Sequence, residues 1–85
     1  MATATPTPSP NPNALKFDLD VALPDTLNFA SADEAAANPF AAEVFAAPGV
    51  ASIFGVNDFV TVNRQPDADW DPIIAAVQSA AASHL

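Results

Sequence analysis

Apolar and polar residues alternate strictly along Leu15-Lys16-Phe17-Asp18-Leu19-Asp20-Val21. That period of two predicts a half-buried strand. Pro24 and Asp25 mark a turn. Leu27 and Phe29 then alternate with Asn28 and Ala30, a short second strand expected to return along the first as an antiparallel hairpin. Ser31-Ala32-Asp33-Glu34 has capping-box spacing, so a turn or two of helix should run to Ala37. Asn38-Pro39 is an N-cap followed by the residue best tolerated at the first helical position, and a restarted helix is expected to about Ala47. Its apolar face is Phe40, Ala41, Val44 and Phe45, and Pro48-Gly49 ends it. Val50 to Val56 and Phe59 to Val62 read as two strands about an Asn57-Asp58 turn. A loop with Pro66 leads to Asp69, the expected cap of a last helix with Asp71 and Pro72 in its first turn. Trp70, Ile73, Ile74, Val77, Ala81 and Leu85 form its apolar stripe, and His84 sits in its last turn.

Residues 2 to 12, ATATPTPSPNP, carry prolines at 6, 8, 10 and 12. Each fixes its own φ and pushes its predecessor toward extended backbone, so a polyproline-like arm with a mobile start is expected over residues 1–12. Residues 13–85 then form one domain. The predicted fold is α+β and two-layered: a four-stranded, mainly antiparallel sheet with two helices on one face, in the order ββαββα.

Composition narrows what such a domain can do. Alanine supplies 20 residues of the 51% hydrophobic fraction, while Val, Ile, Leu and Phe together supply 21 of 85. That is enough for a thin core. Lys16 and Arg64 face ten acidic residues, for a net charge of −8. Nucleic-acid binding needs Lys and Arg on phosphates, and no basic patch exists here. The same deficit argues against anionic membranes. There is no cysteine, hence no disulfide and no thiolate ligand for zinc or an iron–sulfur cluster. The N-terminal residues lack a basic n-region and an apolar h-region, and no apolar run nears the ~20 residues of a span, so a cytoplasmic location is expected.

No catalytic or metal constellation assembles. Asp67, Asp69 and Asp71 open like a calcium loop, but Pro72 stands where glycine is needed and Gln78 where glutamate is. A helix N-terminus explains all three carboxylates. Asp18 and Asp20 share a strand face with Lys16 and read as solvated polar positions. His84 has no partner in the pattern to make it a base or ligand, and the serines lack a nucleophile-elbow motif. The turn Asn11-Pro12-Asn13 could present amide and backbone groups to a partner; local Asn–backbone ties explain it more simply. Phe17, Phe29, Phe40 and Phe45 fit core positions. Phe54 and Phe59 flank the hairpin turn, where they close the core edge or form an exposed patch.

Three stretches together resemble a known family. Thr7-Pro8-Ser9-Pro10-Asn11-Pro12-Asn13-Ala14-Leu15-Lys16-Phe17 is similar to a T-P-N-P-N-S-L-K-F opening. Asn38-Pro39-Phe40-Ala41, with Val44-Phe45 and Pro48-Gly49-Val50, is similar to an S-P-L-A helix and its exit. Phe54-Gly55-Val56-Asn57-Asp58-Phe59-Val60-Thr61-Val62, followed by Asp69-Trp70, is similar to an F-G-x-D-F-I-T-V hairpin and a D-W helix start. The chain thus resembles, from about Thr7 to Leu85, the N-terminal domain of the Nfu/NifU-like iron–sulfur scaffold proteins. It departs where the family often has a basic residue directly after I-T-V-T; Asn63-Arg64 stand here. In that family the cluster and its iron sit on a C-x-x-C motif in a separate domain. The resemblance therefore implies a non-enzymatic accessory domain that docks proteins of cluster assembly, with no cofactor of its own. An adaptor of the same fold outside iron–sulfur metabolism is the alternative. The candidate partner-binding residues are Asn11, Pro12, Asn13, Lys16, Asp58 and Phe59.

Overall fold

The computed structural model describes residues 2–7, 12–23 and 26–85. Its elements in chain order are β1 (Ala4–Thr7), β2 (Ala14–Leu19), β3 (Leu27–Phe29), α1 (Ala32–Ala35), α2 (Pro39–Phe45), β4 (Val50–Val56), β5 (Phe59–Arg64) and α3 (Trp70–His84). The strands form one antiparallel sheet in the order β1-β2-β5-β4-β3.

The α+β class holds, but the described residues form a five-stranded sheet and three helices, against the four strands and two helices expected. The fifth strand lies within the proline-rich segment. Pro6 lacks an N–H, which an edge strand tolerates, and Ala4–Thr7 pairs with β2 on its inner side only. Ala2 and Ala4 are buried, the Ala2 N–H donates to the Ala81 carbonyl (3.3 Å), and Gln78 Nε2 donates to the Ala4 carbonyl (3.4 Å). The segment is thus a strand tied to α3 and not a polyproline arm over these residues.

The expected hairpin between the first two predicted strands does not form. The strand from residue 14 ends at Leu19 and is flanked by β1 and β5, while β3 pairs with β4 on the opposite edge. Six residues of apolar alternation in β2 suit a central position between two partners, whereas the three residues of β3 can only close an edge. The β4–β5 hairpin forms as predicted. Val56 opposes Phe59 across Asn57-Asp58, and Asn57 takes the left-handed φ of 57° that Asn adopts at low cost.

The helix starts follow their caps. Ser31 Oγ accepts from the Glu34 N–H (3.4 Å) and Asn38 Oδ1 from the Ala41 N–H (3.0 Å). Two caps seven residues apart explain why α1 and α2 are separate helices, and α2 ends two residues early, at Phe45. Asp69 precedes α3 in extended backbone, but its side chain makes no cap bond. One sheet face packs against the helices. Phe17, Ile53, Val60 and Val62 meet Phe40 and Val44 of α2 and Ile73 and Val77 of α3, all essentially without solvent exposure.

Candidate functional site

The candidate residues fall in two separate places. Asn11 lies outside the described residues. Pro12 and Asn13 belong to a junction between the start of β2, the end of β5 and the start of α3. There the Trp70 Nε1–H donates to the Pro12 carbonyl (3.2 Å) and Arg64 Nε to Asn13 Oδ1 (3.3 Å). Arg64 Nη1 donates to the Ala68 carbonyl (2.8 Å), its guanidinium lies 5.2 Å from the Trp70 ring centre, and its own N–H donates to the Asn13 carbonyl (2.8 Å). A planar, delocalised cation suits this role because it stacks and donates in one plane. Neither Arg64 nor Trp70 stood out in the sequence as a junction residue; the signal was the lone Arg four residues ahead of Ala68 and six ahead of Trp70, meaningless until the loop is folded.

Lys16, Asp58 and Phe59 lie in the second place, around the face of the sheet that no helix covers. Strand alternation sends Phe17 and Leu19 into the core and Lys16 and Asp18 outward. The register then lines up rows across the open face. Thr7, Lys16, Thr61, Phe54 and Asn28 form one row through all five strands; Thr5, Asp18, Phe59 and Val56 form the next. Lys16 Nζ sits 4.7 Å from the Phe59 ring centre and 3.5 Å from Asp18 Oδ1. Beside that pair, Phe54 and Val56 share the face two residues apart, and Phe54 is 41% exposed, the exposed large hydrophobic among the described residues. Further along the face, Asn63 Nδ2 donates to Ser52 Oγ (2.9 Å). Of the two possibilities for the hairpin phenylalanines, Phe54 takes the exposed one and Phe59 is half-buried under Lys16. The parity was available in the sequence, since Phe54 falls out of step with Ile53 and Gly55, but its side depended on which neighbour faced the helices.

The turn at the end of this face is bound to the rest of the fold through backbone. The Leu19 N–H donates to the Asp58 carbonyl (2.8 Å) and the Leu23 N–H to the Asn57 carbonyl (2.6 Å). The Asp58 side chain is left to solvent, Asp18 pairs with Lys16, and Asp20 accepts from the Thr3 N–H at 2.9 Å.

Elsewhere the chemistry is sparse. Among the described residues no three His, Asp or Glu side chains converge as a metal site. Asp67 and Asp69 line a shallow depression with Pro48, Gly49, Ala68 and Pro72. His84 Nε2 meets Glu43 Oε1 at 3.0 Å and links α3 to α2, so the helix-end histidine has a partner after all. No described helix is long and apolar enough to cross a membrane.

Comparison with known proteins adds the lineage. Residues 4–85 match the family described as the scaffold protein Nfu/NifU N terminal. The crystal structure of protein SAV1430 from Staphylococcus aureus superposes with a TM-score of 0.76 at 26% identity, covering 92% of this chain and 96% of that one. The solution structure of a NifU-like protein from Saccharomyces cerevisiae gives 0.73 at 25% identity, over 94% of this chain and 73% of that one. A Staphylococcus epidermidis protein, SeR13, shares the fold with a TM-score of 0.62 at 24% identity. No match was found among curated proteins.

Proposed function

The chain belongs to the Nfu/NifU N-terminal scaffold family, and from that premise we propose that it is a non-enzymatic docking domain of iron–sulfur cluster assembly. The observation that carries the reading is the family match across residues 4–85, with a NifU-like protein among the structural neighbours. The 85 residues contain no cysteine, so this sequence brings no thiolate to a cluster. Its contribution is contact with a protein that does, in the cytoplasm. The six candidate residues define where contact is sought. Lys16, Asp58 and Phe59 border the uncovered sheet face, while Pro12 and Asn13 serve the junction with Arg64 and Trp70.

A tagged pull-down from the source cell, anaerobic and at low salt, tests this when read by mass spectrometry. The expected result is recovery of a cysteine-bearing scaffold or a cluster-receiving client. Recovery only of proteins unconnected with iron or sulfur would favour an adaptor of the same fold, and recovery of none would remove the docking reading.

A further inference from the structure

The uncovered sheet face has a composition that folding alone does not require. Its centre is apolar, with Phe54, Val56 and Phe59 held side by side by the β4–β5 register. Solvent-facing positions of an antiparallel sheet are usually polar, and Asn28, Thr61 and Asn63 on the same face obey that rule. Three adjacent apolar side chains, one of them a Phe with 41% of its surface in water, do not. Around this centre stand Asp18 on β2 and Asp58 at the turn. The one cation there, Lys16, is already shared between Asp18 and the Phe59 ring. The other cation of the chain, Arg64, is committed to Asn13, Ala68 and Trp70. Among the described residues the Lys and Arg side chains are thus both engaged, and the Asp58 carboxylate is left exposed at the edge of this face.

From this arrangement we infer that the open face binds a basic, apolar segment of a partner protein, with Phe54 as the aromatic anchor and Asp18 and Asp58 as its acidic rim. Charge decides among the occupants. A net charge of −8 repels nucleic acid, anionic lipid and equally a second copy of the same chain. What it attracts is a cationic protein surface. The apolar trio supplies area that holds the segment once it has arrived, and the rim carboxylates orient it and speed encounter at low salt. The inference rests on the docking reading above and names its surface and the chemistry of its partner.

The test uses the full 85-residue chain, isotopically labelled, and two synthetic peptides of equal length. One alternates Leu with Lys; the other alternates Leu with Glu. Amide shifts are followed by NMR during titration. The Leu/Lys peptide should shift Lys16, Phe54, Val56, Asp58, Phe59 and Thr61 together, the Leu/Glu peptide should shift none of them, and added salt should weaken the first. Phe54→Ser, with an unchanged spectrum elsewhere, should weaken binding by roughly tenfold or more, the loss expected of a central aromatic anchor. Asp58→Asn tests the rim without touching the apolar centre; it should weaken binding at low salt and flatten the dependence on added salt. Shifts spread over Asp33, Glu34 and Asp67, or unchanged binding by Phe54→Ser, would show general charge attraction and overturn the assignment. No binding of the Leu/Lys peptide would overturn it too. The pull-down separates the layers: capture of assembly proteins by wild type and Phe54→Ser alike leaves the docking function standing and removes only this face.

Discussion

Ile53 and Phe54 are neighbours on one strand, yet Ile53 is 1% exposed and Phe54 41%. The whole sheet repeats that contrast. One face, with Phe17, Val60, Val62 and Ile53, is sealed by α2 and α3; the other, with Lys16, Phe54, Val56 and Phe59, has no helix over it. Hydrophobicity does not separate the two, since the bare face holds two phenylalanines. Coverage does. The sealed face accounts for stability, because its side chains are removed from water and close-packed. The bare face's aromatics leave water only in part and are free to serve a contact.

The largest test of that contrast is Phe17→Ala. A buried Phe lost from the centre of the covered face should cost about 3–5 kcal/mol, most of the stability of so small a domain. Urea unfolding followed by circular dichroism would read it. A cost below about 0.5 kcal/mol, the range of a typical surface change, would mean that the covered face is not the core.

Gly49→Ala asks whether the packing extends to the rim of the covered side. Gly49 has φ of 89°, and an added methyl would run into the Ala68 side chain, where the loops before β4 and α3 meet. The strained backbone alone predicts a loss of roughly 1–3 kcal/mol, with the collision added to it. The double variant with Ala68→Gly should recover the collision part and leave the backbone part, so its midpoint should fall between wild type and the single variant. A single variant as stable as wild type would show a rim loose enough to move.

Phe54→Ser should have the smallest effect on folding, within about 0.5 kcal/mol of wild type in the same urea experiment. Together with the loss of peptide binding expected above, it divides the faces into one that folds the chain and one that meets a partner. A cost near that of Phe17→Ala would erase the distinction.

Much of this was readable one segment at a time. The β2 alternation, the caps at Ser31 and Asn38, the Asn57-Asp58 turn and the α3 stripe all sit where the sequence predicts them. Each rests on residues within a few positions of one another, where propensity and capping act. Elements were misjudged where a distant partner overrode local preference. Ala4–Thr7, proline-bearing and extended either way, became a strand because β2 offered an unpaired edge. The segments β2 and β3, close enough in sequence for a hairpin, were separated by β5, which pairs with β2 from more than forty residues away.

The candidate site followed the same division. Lys16, Asp58 and Phe59 were visible as residues flanking a strand and a turn, but that Lys16 lies over Phe59 is a property of the β2–β5 register. Asn13 was a turn residue until Arg64 and Trp70 arrived beside it. The amino-acid sequence by itself determined the acidic charge, the absence of thiolate ligands, the α+β class and the place and type of most elements, because composition and short-range spacing contain them. Tertiary structure alone decided the strand order, the fifth strand and which face stays bare. Those depend on pairing between segments far apart in the chain, and the parity of a strand says which residues share a side without saying which side the helices will cover.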